Sequence, residues 1–99
     1  MTTFFVSRHP GALEWACRHG VLFDLCIAHI DGTEIAVGDT VIGSLPVNLA
    51  AEVCAIGACY LHLSVRLPNS LRGQELSADA LDSLDASLQE YTVIAAKET

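Results

Sequence analysis

The chain has 99 residues, a formal net charge of −7 and a hydrophobic share of 52 %. This length corresponds to one domain with a modest core, and the negative charge argues against a broad surface for duplex DNA. No run of about 18 apolar residues occurs, so the sequence predicts no membrane-spanning helix. The high apolar share indicates strands buried on both faces of a sheet, or an interface in an oligomer.

The N-terminal segment and the cysteines indicate a cytoplasmic protein. Residues 1–7 carry no basic region and no long apolar stretch, and so do not resemble a signal peptide. No cysteine belongs to a C-x-x-C pair and each lies in an apolar segment. We therefore expect reduced, buried thiols rather than a zinc site. The cysteines are Cys17, Cys26, Cys54 and Cys59.

The first third of the chain predicts two strands with a helix between them. Pro10 opens the helix because the first turn needs no N–H from it, and it keeps His9 in an extended conformation. The helix ends before Gly20. Trp15 lies off the apolar stripe of the helix, where it is expected to pack against another element or a second subunit. The other predicted features are strands at 3–7 and 25–29 and a turn at 31–32.

Residues 38–57 predict a buried strand, a tight turn and a helix. The strand is the β-branched run at 40–42, which glycines bound on both sides. The helix spans 46–56 and stops before Gly57. Its buried face is expected to consist of Leu49, Ala50, Val53, Cys54 and Ile56.

The turn that precedes this helix is a candidate anion site. A strand that leads into a helix N-terminus leaves backbone N–H groups free, and these suit a phosphate. Ser44 and Asn48 add polar side chains at the same place. The alternative for these two residues is structural: Ser44 caps the helix and Asn48 is a solvated residue of the first turn.

The second half of the chain predicts two more strands, a long loop and a short helix. An alternating apolar and polar pattern predicts a strand at 58–65. Residues 66–76 form a loop that is long enough to be functional. A helix at 77–84, capped by Ser77, precedes a last strand at 89–96.

This alternation of strands and helices predicts an α/β domain. We expect a mostly parallel sheet of about five strands with helices on both faces. Ligands of such sheets bind outside the carboxyl ends of the strands, where the segments 7–11, 43–48 and 66–75 should meet. These segments hold three of the five basic residues, which predicts an anionic, phosphate-bearing ligand. The three basic residues are Arg8, Arg66 and Arg72.

Three blocks of sequence, which together extend over nearly the whole chain, carry a family resemblance. They are Ser7-Arg8-His9-Pro10-Gly11-Ala12, the segment from Gly38-Asp39 to Leu49-Ala50-Ala51-Glu52, and Leu67-Pro68 with Arg72-Gly73-Gln74-Glu75-Leu76. The blocks resemble a small CRISPR-associated protein family that accompanies type III CRISPR systems. That family is in turn similar to the CARF-type Rossmann-like ring nucleases.

The resemblance implies a fold, an activity and an assembly. Residues 1–99 would form a single Rossmann-like domain. The activity would be cleavage of cyclic tetra-adenylate, the second messenger that activates type III effector nucleases. Such proteins act as homodimers without a metal or other cofactor, and they hold the cyclic ligand across the two-fold axis.

The chemistry of metal-free RNA cleavage suggests roles for particular residues. The 2′-hydroxyl attacks the neighbouring phosphate and gives a 2′,3′-cyclic phosphate, so cations and an acid–base group are needed. We expect Arg8 and Arg72 to clamp the phosphate, and His9 to act as general acid or base, because histidine titrates near neutral pH. The expected ligand-binding residues are Ser7, Ser44, Leu45, Asn48, Arg66, Gly73 and Glu75, with Ser7 and Asn48 orienting ribose or phosphate.

Several of these residues also have structural interpretations. Arg8 can pair with Glu75, and His9 can serve only as a turn residue before a proline. The two roles open to Glu75 are that of a general base and that of a carboxylate that holds Arg72 in place. Arg66 fits either a ligand contact or a residue that merely flanks a strand. The other histidines, His19, His29 and His62, are expected to be structural, His62 as a packed or interface residue.

Two other functions remain open at this stage. A non-catalytic module could sequester the cyclic oligonucleotide, or sense it and signal to a partner. An accessory protein could contact the CRISPR ribonucleoprotein. The acidic face at 79–90 disfavours direct contact with RNA and permits binding to basic protein surfaces.

Overall fold

The computed structural model describes residues 1–30, 34–71 and 73–97. The predicted turn at 31–32 and the predicted catalytic residue Arg72 lie outside these residues. The elements in chain order are β1 Thr3–Val6, α1 Pro10–Arg18, β2 Leu25–Ile27, β3 Thr40–Gly43, α2 Val47–Ile56, β4 Cys59–Ser64, a 3₁₀ turn Asn69–Leu71, α3 Ala78–Ser83 and β5 Ser87–Tyr91.

The strands form one five-stranded sheet in the order β2-β1-β3-β4-β5. The first four strands are parallel, and β5 runs antiparallel to β4. This confirms the prediction of an α/β fold with a mostly parallel sheet. The order 2-1-3-4-5 is that of the flavodoxin-like doubly wound sheets, and the fold is Rossmann-like.

Helices cover both faces of the sheet, as the sequence predicted. On one face, α1 and α3 pack over a core that includes Phe5, Ile42 and Leu63. On the other face, α2 packs over a core that includes Phe4 and Val41. Successive residues of a strand point to opposite faces, so Phe4 and Phe5 belong to different layers. Burial of the fully enclosed Phe5 side chain contributes about 2 kcal/mol to stability.

Charged and aromatic contacts join α1 to α3. Arg18 donates a hydrogen bond to Asp79 across 2.6 Å, and this bond raises the pKa of Arg18. The ring of His19 lies 2.6 Å from Asp82, so the structural role predicted for His19 is confirmed. Trp15 is 3 % exposed and lies in the core between these helices and the sheet, which confirms that it packs against another element.

The last strand lies earlier in the chain than predicted. The sequence placed it at 89–96, whereas β5 is Ser87–Tyr91. The apolar run after Tyr91 misled the prediction, because that run continues beyond the sheet and contacts α2 instead. There the N–H of Val93 lies 3.4 Å from the sulfur of Cys54. A turn at Asp85, with a φ of 56°, reverses the chain early enough for Ser87 to pair with β4.

Two predictions of burial were wrong. Ile56, expected on the buried face of α2, is 42 % exposed because it lies in the last turn of the helix beyond the sheet. The cysteines are free thiols, as expected, but they are not buried: Cys17 and Cys26 are exposed. Both lie at the periphery of the fold, on α1 and on the edge strand β2. Among the described residues, no helix has both the length and the apolar character to cross a lipid bilayer.

Candidate functional site at the carboxyl end of the sheet

A cavity of about 480 Å³ opens at the carboxyl ends of the parallel strands. It lies where β1 and β3 are neighbours and their connections diverge, since β1 continues through α1 to one side and β3 through α2 to the other. Doubly wound folds bind ligands at this switch point. The polar and turn residues that line it are Ser7, Arg8 and His9 after β1, His29 after β2, Gly43 at the end of β3, Ser44, Leu45 and Pro46 after β3, and Gln74 and Glu75 before α3.

The turn after β1 positions His9. The Ser7 hydroxyl accepts a hydrogen bond from the His9 N–H at 3.1 Å. His9 has the extended conformation predicted for a residue before proline, with φ −101° and ψ 118°, and it precedes Pro10 as the N-cap of α1. Its carbonyl accepts the N–H groups of Ala12 and Leu13. The imidazole is therefore attached to a backbone that hydrogen bonds hold on both sides.

The close approach of α1 to the segment before α3 brings Glu75 to His9. A Cβ on Gly11 would lie 1.9 Å from the carbonyl oxygen of Leu76, so only glycine fits between these backbones. Glu75 Oε1 lies 3.5 Å from His9 Nδ1. With Nδ1 facing the carboxylate, Nε2 is the nitrogen that can take a proton from a ligand. Both side chains are more than half exposed, so the pair adds little to stability.

Arg8 also lines the cavity, and its side chain is exposed. Within residues 1–30, 34–71 and 73–97, no carboxylate lies within ion-pair distance of Arg8. The alternative in which Arg8 pairs with Glu75 is therefore wrong, because Glu75 faces His9. The planar fork of a guanidinium suits a phosphate.

The turn after β3 is held by hydrogen bonds from other strands. Tyr60, on β4, donates its hydroxyl to the Gly43 carbonyl at 3.2 Å and accepts the Leu45 N–H at 2.9 Å. The Ser44 hydroxyl donates to the Leu63 carbonyl at 3.0 Å. A Cβ on Gly43 would lie 2.7 Å from the Val6 carbonyl oxygen, so β1 and β3 approach closely here.

This arrangement corrects two expectations for the turn. Ser44 does not cap α2, because Pro46 is the N-cap and no side chain provides a cap hydrogen bond. The Leu45 N–H is not free for a phosphate, because Tyr60 accepts it. Ser44 and Leu45 do line the cavity, but the Ser44 hydroxyl and the Leu45 N–H donate to protein groups and not to a ligand.

The structure does not bring every predicted ligand-binding residue to the cavity. Among the described residues, Asn48, Arg66 and Gly73 are absent from the lining. Asn48 is an exposed residue of the first turn of α2, as its structural interpretation stated. Arg66 is exposed, and its N–H donates to the Leu84 carbonyl at 3.1 Å.

Sequence reasoning missed His29 as a candidate. It was assigned a structural role, yet it lines the cavity from the segment that follows β2. Its position directly after a strand was a usable signal, because the carboxyl ends of all parallel strands meet at the same edge. With His29 included, the described lining holds Arg8, two histidines and a single carboxylate, that of Glu75. In a chain of net charge −7, this cavity is a local concentration of groups that can bind an anion.

Comparison with protein families identifies the chain. The family model described as "Putative CRISPR-associated protein (Cas_VVA1548)" matches residues 4–94. The chain belongs to this CRISPR-associated family. The matched residues of the chain extend from β1 to beyond β5, and so they include every segment that lines the cavity. No curated protein and no solved structure matches the chain.

The described lining also bears on metal binding. Across the described ranges, no three histidine, cysteine, aspartate or glutamate side chains come together as a metal site. The charged or titratable side chains of the described lining are those of Arg8, His9, His29 and Glu75.

Proposed function

We propose that the protein is a ring nuclease of a type III CRISPR system that cleaves cyclic tetra-adenylate. The observation that carries the proposal is the cavity at the switch point of an acidic chain, which is lined by Arg8, with no ion-pair partner among the described residues, and by the His9–Glu75 pair. Membership of a CRISPR-associated family supports the cellular setting. The sequence resemblance to CARF-type ring nucleases supports the substrate.

The reaction needs no nucleophile from the protein. The ribose 2′-oxygen forms a bond to phosphorus and the bond from phosphorus to the 5′-oxygen breaks, which gives a 2′,3′-cyclic phosphate and a 5′-hydroxyl. His9 Nε2 takes the proton of the 2′-hydroxyl, while the Glu75 carboxylate, 3.5 Å from Nδ1, favours a proton on that other nitrogen. Arg8 neutralises the charge that develops on the phosphate. The leaving 5′-oxygen takes a proton from His29 or from water.

Two further elements of the proposal come from the sequence. Arg72 is the second cation that clamps the phosphate. A homodimer holds the cyclic ligand across its two-fold axis, so that each protomer cleaves one of two opposite phosphodiester bonds. The products are then two molecules of linear di-adenylate, each with a 2′,3′-cyclic phosphate.

Single-turnover cleavage of labelled cyclic tetra-adenylate, with EDTA present and protein in excess, tests the residue roles. Arg8→Ala and Arg72→Ala should each lower the rate at least about tenfold, since a charge-assisted hydrogen bond is worth about 1.5–3 kcal/mol. His9→Gln should lower the rate about a hundredfold, as expected for loss of an acid–base group.

Arg66→Ala is the matched control, because Arg66 is an exposed arginine outside the described lining and should leave the rate unchanged. Wild-type rates in both Arg8→Ala and His9→Gln contradict the assignment. Recovery of an intact ring bound to the wild-type protein favours sequestration instead, and that result also contradicts the proposed chemistry.

A further inference from the structure

A second cavity, of about 390 Å³, lies along β4 and β5 on the face of the sheet that α2 covers in part. It adjoins the first cavity, because Leu45 and Val65 line both. The residues that line it are Leu45, Val47, Ala50, Tyr60, His62, Ser64, Val65, Tyr91 and Val93. None of these residues carries a formal charge when His62 is neutral, so the cavity suits a neutral group.

The hydrogen bonds of Tyr60 allow a tautomer to be assigned to His62. The Tyr60 hydroxyl has one proton, which it donates to the Gly43 carbonyl, and its oxygen accepts the Leu45 N–H. His62 Nδ1 lies 2.6 Å from the same oxygen, and with the hydroxyl proton directed to Gly43 we assign Nδ1 as the donor of that contact. Burial raises the pKa of Tyr60, so the hydroxyl keeps its proton.

In the assigned tautomer, His62 Nε2 is an acceptor. Among the described residues, no group hydrogen-bonds to this nitrogen. A histidine whose Nδ1 is a donor presents a lone pair at Nε2, which selects a ligand with an N–H or O–H at that position.

Aromatic rings frame this acceptor. The His62 ring meets Tyr60 edge to face at 5.7 Å and Tyr91 at 5.9 Å. Tyr91, which pairs with Tyr60 across the β4–β5 ladder, is 48 % exposed. The exposed ring of Tyr91 can stack on a flat heterocycle, and His62 Nε2 beside it can accept a hydrogen bond from the same ligand. Stacking on an aromatic side chain is worth about 1–3 kcal/mol per base.

We infer that the second cavity binds an adenine base, whose 6-amino group donates to His62 Nε2 and whose ring stacks on Tyr91. This inference rests on the proposed function, since the base would belong to the nucleotide whose phosphate occupies the adjoining cavity. Adenine presents an amino donor at this position, whereas hypoxanthine and guanine present an oxo acceptor. Two facing acceptors repel each other, and the site therefore distinguishes adenine from 6-oxopurines.

The test compares two rings, cyclic tetra-adenylate and the same ring with hypoxanthine in place of adenine. Binding of each ring to the whole protein is measured by titration, and cleavage of each by single turnover. The wild-type protein should prefer the adenine ring by about tenfold, the usual effect of one lost polar contact that leaves a group unpaired. His62→Leu should reduce the preference to about twofold or less.

Further variants keep the inference falsifiable if His62→Leu does not fold. Tyr91→Leu alters an exposed side chain and should weaken binding of both rings about tenfold. His19→Leu is a histidine control at the C-terminal end of α1, outside the described lining of both cavities, and should leave the preference unchanged. If the wild-type protein cleaves the adenine ring and both cavity variants retain its affinity and preference, the base site is refuted while the ring nuclease stands. If the wild-type protein neither binds nor cleaves either ring, both proposals are refuted.

Discussion

Replacement of Tyr60 by phenylalanine should lower the free energy of unfolding far more than the same replacement of a tyrosine at the surface. Tyr60 is 2 % exposed, and its hydroxyl is the partner of the Gly43 carbonyl, the Leu45 N–H and His62 Nδ1. Phenylalanine keeps the ring and leaves the two backbone groups without a partner. Each unsatisfied buried group costs about 1–3 kcal/mol, whereas the imidazole of His62 is only partly buried and can reorient to water. We expect a loss of about 2–3 kcal/mol in the free energy of unfolding.

Urea unfolding, followed by circular dichroism at neutral pH, measures this loss. A change of this size lowers the melting temperature of a domain of about 100 residues by roughly 10–20 °C. Tyr91→Phe is the matched control, because the Tyr91 ring is half exposed, and it should change the free energy by less than about 0.5 kcal/mol. If Tyr60→Phe is as stable as Tyr91→Phe, the hydroxyl does not hold the turn between β3 and α2, and the account of the site is wrong there.

Two further predictions concern stability. Gly11→Ala should destabilise the protein by more than about 2 kcal/mol in urea unfolding, because its Cβ would overlap the Leu76 carbonyl; stability equal to wild type would show that the backbones can separate. Hydrogen bonds from the N–H groups of Ala36 and Thr2 hold the pKa of Asp39 below its ordinary value, so its stabilising effect is complete above about pH 4 and is lost as pH falls through the lowered pKa. Unfolding free energies between pH 7 and pH 3 should therefore fall less steeply for Asp39→Asn than for the wild type, and identical slopes would contradict this.

Local sequence signals were sufficient for the elements that build the first cavity. Pro10 and Pro46 mark the starts of α1 and α2, and the β-branched run before Gly43 marks β3. Both prolines act through their own backbone geometry, which is a property of the residue and its neighbours. The rule that parallel strands end at one edge then placed Arg8 at the site without knowledge of the strand order.

Features that depend on distant partners were not predictable in this way. The Ser44 hydroxyl bonds to Leu63, and Tyr60 bonds to Gly43 and Leu45, all across neighbouring strands. Periodicity within a segment carries no information on such contacts. The prediction of the position of β5 was wrong for the same reason, because pairing with β4 sets that position and the apolar run that follows Tyr91 does not.

The most direct test of the central claim is the fate of cyclic tetra-adenylate itself. Wild-type protein in molar excess is incubated with the labelled ring in EDTA, and the products are resolved by chromatography beside synthetic standards. We predict linear di-adenylate that ends in a 2′,3′-cyclic phosphate, because the 2′-hydroxyl is the nucleophile. An intact ring after prolonged incubation, whether bound to the protein or free, would contradict the account.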